Sequence, residues 1–179
     1  TYSVYRSKDL LGEIQLCVPG EHNVLNSLAA VVLGLEMGIS FETIQEGIAT
    51  YQGVRRRFDI KGIYDDVMLV DDYAHHPTEV EATLKAAKAG WDRRIIAVFQ
   101  PHLFTSTQKF FREFAQVLQI ADEVIITDIY PAREKPIPGV TSALIYDECS
   151  KKLKNRCHSV PDLDDLEKFL DTLVKQNDM

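Results

Sequence analysis

The sequence predicts an α/β fold with a mostly parallel sheet, and three observations carry that reading. Strand-like and helix-like segments alternate from about residue 57 to the C-terminus. Two strand segments, Ile95-Ile96-Ala97-Val98-Phe99 and Val124-Ile125-Ile126-Thr127, are near-continuous apolar runs, the pattern of strands covered on both faces. The right-handed crossover rule then places helices on both faces of the sheet.

Each element has its own signal. Residues 1–18 read as two short strands, the second over 13–18 and ended by Pro19-Gly20. His22-Asn23 are expected to cap a long apolar helix over 24–37, stopped by Gly38. Ser40 is the predicted N-cap of a second helix over 41–50, because its hydroxyl oxygen can accept from a free first-turn amide. Gly53 marks a boundary. Residues 1–53 read as the tail of a preceding domain, and 54–179 as a compact Rossmann-like domain. In that domain, strands over 57–62 and 67–71 flank the turn Tyr64-Asp65-Asp66 and form a hairpin. A helix over 78–89, a strand over 94–99, a loop over 100–106 and a helix over 107–119 follow. The pattern closes with a strand over 123–127, a Pro-rich loop over 128–139, a helix over 142–153, a strand over 157–160 and a helix over 163–174 capped by Asp162.

Composition narrows the function classes. The 179 residues are 45% hydrophobic and 26% charged, ordinary for a soluble globular protein. A net charge of −7, with Arg55-Arg56-Arg57 the only basic tract, argues against a general nucleic-acid binder. Cys17, Cys149 and Cys157 form no Cys-x-x-Cys and read as reduced thiols of a cytoplasmic protein. No apolar run approaches membrane-spanning length, and no signal peptide is visible. The chain opens on Thr1, so it is expected to be part of a longer protein.

Five clusters carry candidate chemistry. Asn23 and Asn26 stand i, i+3 on one helix face, so two amides can address one ligand such as a base edge. Spacing alone favours the plainer reading, a helix cap with Asn26 in solvent. Arg55-Arg56-Arg57-Phe58-Asp59 suits phosphate, which a guanidinium binds as a fork, and equally suits a solvated strand edge.

The loop Asp71-Asp72-Tyr73-Ala74-His75-His76-Pro77-Thr78-Glu79 gathers acids, an aromatic and two imidazoles at a strand-to-helix turn, the edge where such folds bind ligands. Asp71, Asp72, His75, His76 and His102 are metal-ligand types, but adjacent histidines diverge and His-x-x-x-His spacing is missing, so hydrogen bonding to substrate is preferred. The bland alternative is Asp72 capping its own turn, with a histidine satisfied in the core. Gln100-Pro101-His102 follows the next apolar strand, and Thr127 to Glu134 follows the third. Three successive strand ends therefore carry polar loops on one edge. Neither a Gly-x-x-x-x-Gly-Lys phosphate loop nor a Gly-x-Gly-x-x-Gly is present.

Taken together, Gly20-x-His22-Asn23-x-x-Asn26, Val54-x-Arg56-Arg57-Phe58, Asp71 to Glu79, Phe99-Gln100-Pro101-His102, Thr127 to Glu134 and Pro136-Ile137-Pro138-Gly139-Val140-Thr141 resemble the Mur ligase family, most of all its L-alanine-adding members. The resemblance runs in order over roughly residues 13–145. It implies that 1–53 is the end of a central P-loop ATPase domain and 54–179 the C-terminal ligase domain, which explains the missing phosphate loop. It also implies an ATP- and Mg²⁺-dependent enzyme of peptidoglycan synthesis in the bacterial cytoplasm. Such an enzyme joins L-alanine to UDP-N-acetylmuramate through an acyl phosphate, and this chain would act as a lid that excludes water.

Residue by residue, the resemblance places Asn23 and Asn26 near adenine, Arg57 at the ATP phosphates and Asp72 on the nucleotide. It places Tyr73, His75 and His76 where amino acid and muramyl carboxylate meet, with His102 beside the amino acid. Arg57, His75 and His76 are the candidate catalytic residues. No metal-ligand set is expected within this chain, nor any nucleic-acid or membrane partner. One departure stands out. Leu103 and Ser106 occupy positions where many alanine-adding members carry arginine, so Arg133 is the candidate to hold the amino-acid carboxylate. The nearest rival is the murein-peptide ligase branch of cell-wall recycling. A metal-dependent hydrolase built on the Asp/His loop and a non-catalytic nucleotide-binding module are rivals from other classes.

Overall fold

Val4 and Ile14 are the buried members of a hairpin formed by β1 (Tyr2–Arg6) and β2 (Asp9–Ile14) in the computed structural model, which describes residues 1–179. The pairing is antiparallel and ends at Tyr2↔Ile14. The predicted strand over 13–18 therefore lies too far along the chain: beyond Ile14, β1 has almost no residues left to pair.

Helix α1 (Glu21–Glu36) starts earlier than predicted. Gly20, at φ 99°, makes the entry turn, and His22-Asn23 supply no cap. The Asn23 amide instead donates back to the Pro19 carbonyl at 2.7 Å. In α2 (Phe41–Ala49), Ser40 caps as expected, its Oγ accepting from the Thr43 amide at 3.3 Å. Gly34 lets the two helices meet, since a Cβ there would lie 2.7 Å from Ile44 Cδ1. Val4, Ile14, Val31, Phe41 and Ile44 form the core of this first unit, Thr1–Asp59.

In the second unit, Ile60–Met179, β3 (Asp59–Tyr64) pairs with β4 (Val67–Asp71). Asp65 and Asp66 join them with φ of 49° and 66°, the double positive φ of a tight hairpin turn. Then come α3 (Pro77–Gly90), β5 (Ile96–Phe99), α4 (Phe104–Leu118), β6 (Glu123–Ile126), α5 (Ala143–Leu153), β7 (Cys157–Ser159) and α6 (Leu163–Leu173). β5, β6 and β7 form the expected parallel sheet in that order, with Val124, Ile125 and Ile126 of the middle strand fully buried.

Both faces carry helices, as the crossover rule requires. Helix α3 packs on α4 and α4 on α5, and Phe99 of β5 meets Phe114 of α4 at 4.9 Å between ring centroids. Helix α5 packs on β7, where the buried Cys149 and Cys157 lie on the same side. The next residue, His158, points the opposite way and meets Phe169 of α6 at 5.0 Å. No helix is long and apolar enough to cross a membrane.

One element between β4 and β5 is absent from the sequence-based expectation. Residues 177–179 run there as an extra strand. The Met68 amide donates to Asp178 O at 2.9 Å and the Ile96 amide to Met179 O at 2.8 Å, while the Met179 amide donates to Arg94 O at 2.9 Å. Asp178 is 2% exposed. Its carboxylate accepts from Arg94 Nε at 2.9 Å, from Arg94 Nη2 at 2.7 Å and from the Lys175 amide at 2.7 Å. Burial pushes this carboxyl up, but those hydrogen bonds and the charges of Arg94 and Lys175 outweigh it and hold it below the usual aspartate value.

The unfolded chain takes up this proton at higher pH than the folded chain. The Asp178 contribution is therefore full above about pH 4 and lost as pH falls through the lower folded value. Asp178→Asn is expected to cost about 3 kcal/mol, the low end for breaking a buried pair because Arg94 keeps partial solvent access. It should also flatten the loss of stability below about pH 4. Urea unfolding of both proteins across pH 3–7 checks this. Equal stability and equal acid sensitivity would contradict it.

Candidate active site

Strand β4 delivers the loop 72–76 to the C-terminal edge of the sheet, and Pro77 then starts α3. Asp72 builds the turn: Oδ1 accepts from the Ala74 amide at 2.8 Å, and Oδ2 from the Thr83 hydroxyl at 3.0 Å. Glu79 closes it, its Oε2 accepting from the amides of His75 and His76 at 3.0 and 3.2 Å. The His76 ring is the N-cap, with Nδ1 accepting from the Thr78 amide at 3.4 Å, so α3 has a reciprocal capping box in which an imidazole replaces the usual hydroxyl.

The adjacent histidines diverge, as the sequence predicted. His76 turns to Phe110 of α4, 4.9 Å between ring centroids. His75 turns to Tyr73 at 5.1 Å and to His102 at 5.8 Å. Its Nδ1 lies 2.9 Å from the Tyr73 carbonyl, which can only accept, so the neutral ring carries its proton on Nδ1. Nε2 is left with a lone pair. Asp71 pairs with Lys61 at 3.6 Å. No three His, Cys, Asp or Glu side chains converge as metal ligands.

His102, at the end of β5, completes the group. It lies 6.4 Å from Tyr73 and stacks on Tyr130 at 5.7 Å with 22° between planes. The backbone fixes this stack, since the Leu103 amide donates to Tyr130 O at 3.0 Å and the Tyr130 amide to Pro101 O at 2.8 Å. Three strand-end loops thus meet in a cluster of Tyr73, His75, His102 and Tyr130. Tyr130 was not singled out from the sequence; its signal was its place on the third strand-end loop. Arg133 stands exposed on that loop, beyond the ring cluster.

Helix α4 corrects the expected start at residue 107. It begins at Phe104, with Leu103 at φ 70° in the cap position, and the Thr107 hydroxyl donates back to the Leu103 carbonyl at 2.9 Å.

In the first unit, Asn23 and Asn26 line one cavity of about 370 Å³, walled by Leu16, Val18, Ile48 and Tyr51. The Asn23 donor is engaged with Pro19, whereas the Asn26 amide is exposed with no internal partner. The i, i+3 spacing thus brings both side chains to one hollow, with Asn26 exposed to solvent. Arg57 is exposed on a turn whose amide donates to Val54 O at 3.1 Å.

Residues 56–179 match the family model described as Mur ligase, glutamate ligase domain. The chain is 49% identical over 170 residues to the UDP-N-acetylmuramate–L-alanine ligase of Salinibacter ruber, covering 94% of this chain and 36% of that protein. It is 54% identical over 133 residues to the enzyme of the same name from Geotalea uraniireducens, covering 74% and 29%. Among solved structures, it resembles the UDP-N-acetylmuramate-alanine ligase of Thermotoga maritima with a TM-score of 0.77 and 33% identity, covering 92% of this chain and 34% of that one. A murein peptide ligase from Psychrobacter arcticus gives 0.63 and 25% identity, covering 92% and 34%. The chain spans about a third of the length of these relatives.

Glu79 joins fold and site, because its one carboxylate oxygen holds the amides of both histidines. Glu79→Ala is expected to cost about 1 kcal/mol, the usual value of a lost cap. It should also weaken the nuclear Overhauser contact between the rings of His75 and His102. An unchanged contact would show that the ring cluster does not depend on the cap.

Proposed function

The chain belongs to the Mur ligase family, and on that premise we propose that it is the C-terminal part of an ATP-dependent ligase that joins L-alanine to UDP-N-acetylmuramate in bacterial peptidoglycan synthesis. The observation that carries this reading is the meeting of Tyr73, His75, His102 and Tyr130 from three strand ends, with the Nε2 of His75 open. An amine nucleophile must lose a proton as it attacks, and an imidazole nitrogen with a free lone pair suits that task near neutral pH.

On this reading each residue has a role. His75 accepts the amine proton at Nε2. His76 fixes the direction of His75 through the α3 cap and offers its own Nε2 to the muramyl carboxylate. Tyr73 and His102 bound the amino-acid side, where a small side chain packs against rings. Arg133 holds the amino-acid carboxylate in place of the arginines absent at Leu103 and Ser106. Asp72, held in its turn by the Ala74 amide and the Thr83 hydroxyl, is the candidate to contact the nucleotide.

The hollow beside Asn23 and Asn26 suits adenine, with apolar walls for the base faces and a free amide for its edge. Arg57 supplies a guanidinium for phosphate oxygens. When bound, ATP with Mg²⁺ supplies the phosphoryl group that activates the lactyl carboxylate as an acyl phosphate. The phosphate cradle and the metal ligands lie outside this chain's residues. The dispersal of Asp71, Asp72, His75 and His76 to separate partners speaks against the metal-dependent hydrolase.

The 179-residue chain alone is expected to bind ATP weakly and to show no ligase turnover; detectable turnover would contradict the assignment of the phosphate cradle elsewhere. A full-length ligase carrying this chain is expected to release phosphate with UDP-N-acetylmuramate, Mg-ATP and L-alanine. His75→Ala should lower kcat by about 10²–10⁴-fold. Turnover only with L-Ala-γ-D-Glu-meso-diaminopimelate would transfer the protein to the recycling branch.

A further inference from the structure

Helix α4 has no cap of its own. Leu103, in the cap position, offers no acceptor, so the first-turn amides need one from elsewhere. Glu134 provides it from 29 residues away: Oε2 accepts from the Thr105 amide at 3.0 Å, and Oε1 accepts from the Thr105 hydroxyl at 2.5 Å. These bonds, the Thr105 hydroxyl first, hold the Glu134 carboxyl below the usual glutamate value, with smaller contributions from the Phe104 amide and His102. The negative charge also sits at the positive end of the helix.

The same loop is tied down at its other end. Tyr130 exchanges backbone hydrogen bonds with Pro101 and Leu103 and stacks on His102. Between the two ties, the chain turns through Ala132 at φ 48°, and the Glu134 amide donates to Pro131 O at 2.9 Å. The ties on the opposing loop fall on either side of the Leu103 turn, one at residues 101–103 and one at Thr105. His102 is therefore gripped between a ring stack and a carboxylate that caps the helix it leads into.

We propose that Glu134 is a positioning residue: as the borrowed N-cap of α4, it sets the Leu103 turn and, through that turn, the angle of His102 against Tyr130 and His75. This rests on the reading of His102 as a wall of the amino-acid site. A purely structural cap would stabilise the helix without governing the His102 ring. A glutamine can keep the geometry, since its carbonyl accepts from the Thr105 amide while its NH₂ donates to the Thr105 hydroxyl. Glu134→Gln therefore separates geometry from charge.

The test has two readouts. The first is the pair of His102 ring-proton chemical shifts in the labelled 179-residue chain, which report the Tyr130 ring current. Glu134→Ala is expected to move them and Glu134→Gln to restore them, with Trp91 and the other resonances confirming an intact fold. Unmoved His102 shifts in folded Glu134→Ala would overturn the proposal. The second is kinetics of a full-length ligase carrying this chain. Glu134→Ala should raise KM for L-alanine on the order of tenfold with a smaller fall in kcat, within the 10²-fold that a 1 Å misplacement can cost. Moved shifts with an unchanged KM would uphold the tie and overturn the placement of His102 at the amino-acid site.

Discussion

The ion pair between Arg94 and Asp178 holds residues 177–179 between β4 and β5, and the arrangement of the sheet edge depends on it. Strands in a sheet lie about 4.8 Å apart, so an inserted strand sets β4 and β5 roughly 10 Å from each other. The loops that follow these strands inherit that gap. His75 and His102 reach across it until their ring centroids are 5.8 Å apart. Without residues 177–179, β4 and β5 would have no backbone partner in common, and the two histidines would have no fixed separation. A charged pair at the opposite end of the strands thereby sets the spacing of the chemistry.

The two ends of the sheet divide the work. At the N-terminal end, Arg94 lies 3.7 Å from Glu123, which His158 meets at 3.0 Å, and Asp122 accepts from the Ile95 amide at 2.7 Å while pairing with Lys88. These groups are paired with one another. At the C-terminal end the side chains are aromatic, partly exposed and only partly satisfied. Parallel sheets place ligand sites outside the carboxyl ends of their strands, and the distribution of polar groups here follows that rule.

Much of this was legible in the sequence because its causes are local. The apolar runs of β5 and β6, the Ser40 and Asp162 caps and the tight turn at Asp65-Asp66 each depend on a few neighbouring residues. The divergence of His75 and His76 follows from their adjacency. What escaped has causes distant in sequence. A three-residue strand carries no periodicity, and Asp178 reads as an ordinary terminal acid until Arg94 is placed beside it. The start of α4 could not be found from Thr105 to Thr107, because its cap is Glu134. Asn23 looked like a cap and serves as an anchor to Pro19. Tyr130 gains meaning only from the ring it covers.

Leu103 and Ser106 stand where the family resemblance leads one to expect arginine. Leu103 holds the positive-φ turn that follows His102, and Arg133 is exposed on the loop whose Tyr130 pairs with that turn. We propose that the edge formed by Tyr73, His75, His102 and Tyr130 receives L-alanine. The most direct test is a crystal structure of a full-length ligase carrying this chain with UDP-N-acetylmuramoyl-L-alanine and ADP bound. The alanyl nitrogen is expected within hydrogen-bond distance of His75 Nε2 and the alanyl methyl against His102. An alanyl group seated away from these rings, with His75 Nε2 facing solvent, would contradict it.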